Sequence, residues 1–175
     1  NYIFQEGKRL EALSLKLMEM IVLKKHDFTF KSIHTADLLE SVRGVVQPVL
    51  GNVELILSVE DAVIQAEPDL IKTVCINIID NAKKAMDIGG QIFLTGKSVD
   101  TGYGIFIRDT GRGIPEEDIS KITEAFYMVD KSRSRASGGA GLGLAICSEI
   151  IRLHNGELIF ESELGKGTTV TILLK

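Results

Sequence analysis

Asp109-Thr110-Gly111-Arg112-Gly113-Ile114-Pro115 ends the apolar run Tyr103 to Arg108 with a carboxylate followed by two glycines. A residue without Cβ reaches left-handed and related conformations at no steric cost, and it lets backbone N–H groups approach phosphate oxygens closely. Two more such segments follow in the chain, Gly138 to Leu144 (Gly-Gly-Ala-Gly-Leu-Gly-Leu) and Gly165 to Thr169 (Gly-Lys-Gly-Thr-Thr), and an asparagine pair, Asn77 and Asn81, precedes all three. One glycine turn alone is weak evidence. Three in fixed order, each beside a strand or helix end and joined by a polar, basic loop, describe a single nucleotide site.

Working outward, the chain upstream of Asp109 reads as two strands, Gln91 to Ser98 and Tyr103 to Arg108, joined as an antiparallel hairpin by the Asp100-Thr101-Gly102 turn. Before them Glu67-Pro68-Asp69 opens a long helix that should run to about Met86, with Pro68 suited to its first turn, and Asp87 to Gly90 closes it. Val53 to Val59 reads as a strand. Phe28 to Ile33 is a short extended segment, followed by a helix that Thr35 could cap and that stops near Pro48 and Gly51. Ile3, Leu10, Leu13, Leu17 and Met20 alternate in steps of three and four, with Glu6 at the intervening position, which is the seam of a packed helix or the apolar face of one lying on its own domain. Downstream of Asp109, Thr110 to Ser137 is long and poorly periodic, with a helical turn after Pro115 and many Lys, Arg and Ser toward its end. Loops of this length are usually mobile or functional. A helix from about Leu142 to His154 and strands Glu157 to Ser162 and Thr168 to Leu174 complete an α+β arrangement, helices layered on a mainly antiparallel sheet.

The 175 residues suit one compact domain with an appendage, and 45% apolar residues suffice for a sizeable core. A formal charge of −4 argues against general attraction to nucleic acid or an anionic membrane, so an anion site has to be built locally. Cys75 and Cys147 lack metal or redox spacing and read as buried, reduced thiols of a cytoplasmic protein. No apolar run approaches a bilayer span and no cationic segment with a hydrophobic stretch opens the chain, so neither secretion nor membrane insertion is expected of this segment.

Asn77 and Asn81 stand four apart on one helix face, with Lys84 a turn later. An amide oxygen is a hard neutral ligand, and Mg²⁺ often takes only one or two protein oxygens beside water and phosphate, which makes Asn81 the metal candidate. Taken alone, the amides could equally bridge backbone groups and Lys84 could pair with Asp80; the glycine segments favour the site. Asp109 can accept the exocyclic amine of adenine, a donor that guanine lacks there, while Gly111 and Gly113 bring the loop backbone near base and sugar. Gly139, Gly141 and Gly143 lead into a helix whose first turn offers unpaired N–H groups and a positive dipole end to a triphosphate. Lys131 and Arg133 could close over the phosphates; Arg135 reads as solvated.

These segments resemble the boxes of sensor histidine kinases. Asn77-Ile-Ile-Asp-Asn81-Ala is similar to the N box, Asp109 to Ile114 to the first glycine box, Glu124-Ala-Phe-Tyr127 to the F box, and Gly139 to Leu144 to the second glycine box. The resemblance covers nearly the whole chain. It implies a Bergerat-type ATP-binding domain, a two-layer α/β sandwich spanning residues 28–175, with an ATP lid over about residues 110–137. By position it assigns Asn81 to Mg²⁺, Lys84 to phosphate, Asp109 to the adenine amine, and Gly139, Gly141, Leu142 and Gly143 to the phosphate-facing turn, with Phe126 anchoring the lid. Asn77, Gly111, Gly113, Ile114, Lys131, Arg133 and Thr168 complete the expected ATP-binding set. Lys8-Arg-Leu-Glu-Ala-Leu13 resembles the second helix of the dimerisation and phosphoacceptor hairpin, which gives residues 1–27 that role.

Two positions depart from the family pattern. Met128 follows the F-box Phe-Tyr pair where a basic residue is common, leaving that charge to Lys131 or Arg133, and Ala85 stands where relatives often carry an aromatic ring. His26, His34 and His154 do not fit the phosphoacceptor position, so that histidine is expected on another segment, in the same or a partner protomer of a homodimer. A response regulator is the further partner implied. Gyrase-, chaperone- and mismatch-repair-type ATPases place a glutamate at the position of Asn77 to activate water, and an amide cannot take that proton; a non-catalytic ATP-sensing module is the other alternative.

Overall fold

The computed structural model describes residues 28–129 and 141–175, together with Glu11, Ser14, Leu15, Met18, Ile21 and Val22 of the preceding segment. Those six are helical and solvent-exposed. Ile3, Leu10, Leu13, Leu17 and Met20, the expected seam, lie outside the described residues.

Strand β1 (Lys31–His34) leads directly into helix α1 (Thr35–Val46) and a 3₁₀ turn (Gln47–Val49). Strands β2 (Val53–Val59) and β3 (Val63–Ala66) precede helix α2 (Pro68–Lys84). The hairpin β4 (Gly90–Val99) and β5 (Gly102–Asp109), the short helix α3 (Glu116–Ile119), helix α4 (Gly143–Leu153) and the hairpin β6 (Glu157–Glu163) and β7 (Gly167–Leu174) follow. Five strands form one sheet in the order β2-β4-β5-β7-β6, and β1 pairs with β3 in a separate two-stranded ribbon. The β2–β4 pair is parallel because β3 and α2 intervene between them; the other pairs are antiparallel.

Alternation along the strands makes the sheet two-faced. Ile92 and Leu94 of β4, Ile105 and Ile107 of β5 and Val170 and Ile172 of β7 are buried in one core with Leu39 and Val42 of α1, Ile71, Ile78 and Ile79 of α2 and Ile146, Ile150 and Ile151 of α4. Each fully buried side chain of this size contributes about 1.5–3 kcal/mol by leaving water. Phe93, Thr95, Phe106, Arg108 and Thr169 stand on the opposite face, where Lys97 Nζ sits 4.9 Å from the Phe106 ring centroid. Three helices on one face of one sheet form the two-layer sandwich expected.

Three local expectations change. Thr35 does not cap its helix: it is the first helical residue and fully buried, and its hydroxyl accepts the Ala62 N–H at 2.9 Å. The carboxylate that meets the helix start is Asp61, whose Oδ1 accepts the Ala36 N–H at 3.0 Å. Strand β3 has no counterpart in the sequence reading, since four residues with two exposed give too short a pattern. The long helix stops at Lys84, with Ala85 as its cap, and its first turn is held by Glu67, whose side chain accepts the Leu70 N–H at 2.7 Å.

Candidate functional site

The cavity is bounded by the outer face of α2, the loop after β5, the first turn of α4 and the inner face of β7. Because Ile71, Val74, Cys75, Ile78, Ile79 and Ala82 turn into the core, the helical period leaves Asn77, Asn81 and Lys84 on the cavity side. The cavity measures about 470 Å³, within the usual range for a small-molecule ligand. Ile78, Ile122, Phe160 and Val170 supply apolar lining, and Asn77, Asp80, Asn81, Lys84, Asp109 and Thr168 supply the polar groups. Apolar walls with a few convergent polar groups suit a flat heterocycle bearing a charged tail.

Asp109 terminates β5 and is 5% exposed. Its Oδ1 accepts two backbone donors, Gly111 N–H at 2.8 Å and Thr168 N–H at 3.3 Å. Burial raises the carboxyl above the usual range, and those two donors act against the rise. Among the described residues no donor is bonded to Oδ2, so the cavity side of the carboxylate can take a ligand donor. The loop after Asp109 is clamped from both sides. Arg112 N–H donates to Ala85 O at 3.1 Å, at the cap of α2, and Gly165 N–H donates to Arg112 O at 2.7 Å. At Gly167, with φ +104°, a Cβ would lie 2.0 Å from Asp109 O, so only glycine lets the closing hairpin come this near.

The segment before α4 locks to the F-box residues. Phe126 N–H donates to Gly141 O at 2.8 Å, and Phe126 holds a left-handed φ of 69°, uncommon for a bulky residue and a marker of functional strain. The side chain of Phe126 is half exposed and does not line the cavity, whereas Tyr127, Met128 and Val129 do. Gly141 and Gly143 line it at the N-terminal end of α4, which no side chain caps among the described residues. The first N–H groups of that end have no partner within the helix, and it carries a positive dipole. Leu142 between them is fully buried in the core.

Of the residues expected at the site, Asn77, Asn81, Lys84, Asp109, Gly113, Ile114, Gly141, Gly143 and Thr168 line one cavity. Gly111 serves it through the bond to Asp109. Lys131, Arg133 and Gly139 lie outside the described residues. Lys84 Nζ is 2.7 Å from Asp80 Oδ2, the i,i+4 pairing that the sequence left open. Arg112, Asp87, Ile122, Val170 and Phe160 also line the cavity but were not foreseen. For Val170 a signal existed, because strand alternation puts it on the same face as Thr168.

The two described histidines are engaged elsewhere. His154 is buried; its Nδ1 donates to Ile150 O at 2.7 Å and its Nε2 accepts the Glu67 N–H at 3.1 Å, which requires the neutral ring with the proton on Nδ1. His34 is exposed and bonded to Asp61 at 2.9 Å. Cys75 and Cys147 are free and buried. Among the described residues no helix is long and apolar enough to cross a membrane, and no His, Cys, Asp or Glu cluster could by itself hold a metal ion.

Residues 66–175 match the family model described as histidine kinase-, DNA gyrase B- and HSP90-like ATPase. The chain belongs to that family. The matched region begins at the last residue of β3 and contains every described cavity residue named above. Within the ATPase family it is an ATP-binding catalytic domain of the histidine-kinase type. Sporulation kinase E of Bacillus subtilis is 34% identical over 179 residues, covering 99% of this chain and 23% of that protein. The full-length structure of ShkA in complex with AMPPNP aligns at a TM-score of 0.83 and 25% identity, over 97% of this chain and 36% of ShkA. The histidine kinase ThkA, solved in complex with the response regulator TrrA, shares the fold at a TM-score of 0.77 and 24% identity, over 99% of this chain and 50% of ThkA. The chain spans only 19–40% of the length of the Bacillus subtilis kinases it matches.

Proposed function

We propose that this domain holds Mg-ATP in the cavity between α2 and α4 and delivers the γ-phosphoryl group to a histidine on a hairpin helix. In this reading residues 1–27 contribute part of the second helix of that hairpin, and the phosphoacceptor comes from the same or a partner protomer of a homodimer. A response regulator receives the phosphoryl group in turn, in keeping with the complex of the fold relative ThkA.

The observation that carries this reading is the pair of amides on the cavity face of α2, in place of a carboxylate at Asn77. An amide cannot take a proton from water, which argues against hydrolysis as the main reaction. Asp80, the carboxylate on the same wall, is held by Lys84. Adenine fits the polar end, with its amine on Asp109 and its neighbouring ring nitrogen toward the Thr168 hydroxyl. The triphosphate then runs toward Gly141, Gly143 and the N-terminus of α4, with Lys84, still paired to Asp80, facing it from the α2 wall.

The donor set suits Mg²⁺ bound through phosphate. Asn81 offers one neutral oxygen, and with no cluster of metal-holding side chains among the described residues, the ion's other ligands would be phosphate and water. When bound, the ion neutralises phosphate charge. The protein's own contribution is positioning and charge complementarity, which is most of what phosphoryl transfer demands. Incubating the domain with γ-labelled Mg-ATP and a separate hairpin bearing a phosphoacceptor histidine tests the proposal. Acid-labile, base-stable label on the hairpin is expected; rapid phosphate release without label would make the domain an ATPase, and binding with neither would make it a sensing module.

A further inference from the structure

Ser162, near the end of β6, carries a half-buried hydroxyl with three partners. Ser162 Oγ accepts the Ile114 N–H at 2.8 Å, lies 3.0 Å from Gly167 O and 2.8 Å from Thr168 Oγ1. Ile114 belongs to the loop after Asp109, and Thr168 belongs to β7, so one side chain on a third strand ties together the two segments that hold the buried carboxylate. Neither Ser162 nor its role follows from a motif, because the partner that makes it a bridge, Ile114, lies 48 residues away in sequence.

The proton count gives this hydroxyl a second role. A serine has one proton to give and two lone pairs to receive with. Ile114 N–H can only donate, and it occupies one lone pair. Gly167 C=O can only accept. Thr168 can do either. If Ser162 gives its proton to Gly167 O, Thr168 must donate to Ser162 and shows the cavity lone pairs alone. If Ser162 turns its proton to Thr168, the Thr168 proton is released toward the cavity. The Thr168 N–H already holds Asp109 Oδ1, so its hydroxyl stands beside the acceptor that takes the amine of the base. Adenine offers a ring-nitrogen acceptor next to that amine. An inward-donating Thr168 matches it, with Ser162 in the second arrangement.

We propose that Ser162 is a positioning residue of the nucleotide pocket, joining the loop after Asp109 to the closing hairpin and setting, through Thr168, the hydrogen-bonding sense of the wall that meets the base. The inference rests on the ATP reading of the cavity. Removing the hydroxyl leaves the Ile114 N–H without its partner and frees Thr168 to rotate, which places the effect on the base edge and not on the phosphates.

The test is calorimetric titration of Mg-ATP and of Mg-1-deaza-ATP, in which CH replaces the ring nitrogen beside the amine, into the unsubstituted chain, Ser162→Ala, Thr168→Val and the double variant. Ser162→Ala is expected to raise the Kd for ATP about tenfold. The double variant should be no weaker than the weaker single one, since both changes interrupt one path. With 1-deaza-ATP the loss caused by Ser162→Ala should shrink to about twofold, and Ser162→Thr, which keeps the hydroxyl, should bind ATP nearly as the unsubstituted chain does. Should Ser162→Ala not fold, Ser162→Cys, with its poorer donor, is read in its place against the same expectations. Equal losses with both nucleotides, additive losses in the double variant, or unchanged ATP affinity in Ser162→Ala would overturn the inference while leaving the ATP reading standing. No heat from either nucleotide with the unsubstituted chain would overturn both.

Discussion

Asp109, the proposed acceptor for the adenine amine, shows how one residue can cost stability for the sake of binding. Its buried carboxyl has a raised pKa, so the folded chain holds this proton more tightly than the unfolded one, whose carboxyl titrates near 3.8. The contribution to stability is therefore present below that value and lost as pH rises through the folded pKa. Binding runs the opposite way, because a protonated carboxyl is a poorer acceptor for the amine. ATP affinity should fall on acidification from a higher pH than an ordinary aspartate would give, and Asp109→Asn should abolish that dependence. In titrations the same variant should bind ATP about 10- to 100-fold more weakly, the loss of one charge-assisted hydrogen bond, while its melting temperature at neutral pH is unchanged or higher. Cys75 is the inert counterpart. Burial pushes its thiol up to about 12, so thiol reagents should label it only as fast as the domain opens, and denaturant should release full reactivity.

At the level of elements, helix α2 serves both layers at once: its apolar face anchors the core while its opposite face carries Asn77 and Asn81. The two functions separate by mutation. Asn81→Ala changes an exposed residue and should leave the melting temperature within about 2 °C, yet remove most of the magnesium dependence of ATP binding. Ile79→Ala, one residue from the inward side of the same turn, should cost about 2–5 kcal/mol in denaturant unfolding through the cavity it leaves. The junction of α4 with the F-box segment is less forgiving. A Cβ at Gly141 would lie 2.8 Å from Phe126 C, at a φ of +69° that side chains rarely adopt. Gly141→Ala should therefore weaken ATP binding by distorting Phe126 to Met128, visible as loss of amide-exchange protection at Phe126, whose N–H bonds Gly141 O.

For the molecule as a whole, the proposed ATP site joins the two layers, since α2 and α4 lie in the helical layer while Asp109 and Thr168 belong to the sheet. A ligand that binds only the folded state stabilises it by about 2.7 kcal/mol at a hundredfold excess over Kd, so saturating Mg-ATP should raise the melting temperature and Asp109→Asn should reduce that rise. Much of this architecture was legible beforehand. The i,i+4 asparagines, the alternation in β4, β5 and β7 and the glycine segments in order are local records of backbone geometry, because side-chain direction follows helical and strand periods and a left-handed turn favours glycine. Those features alone gave the layers and picked out residues that line one cavity. Other features depended on residues remote in the chain. Asp61 took the capping position that Thr35 was expected to fill. His154 of the helix-to-strand turn reached back to Glu67 at the start of α2. Ser162 joined Ile114 to Thr168. Lys84 settled on Asp80, a choice its spacing permitted but did not force. Short-range pattern decided which segments are helix, strand or glycine turn, since each residue's conformation is set by its neighbours. The tertiary structure alone decided which polar group answers which, because a hydrogen bond requires two atoms within about 3 Å, and the strand order β2-β4-β5-β7-β6 determines which distant residues come that close.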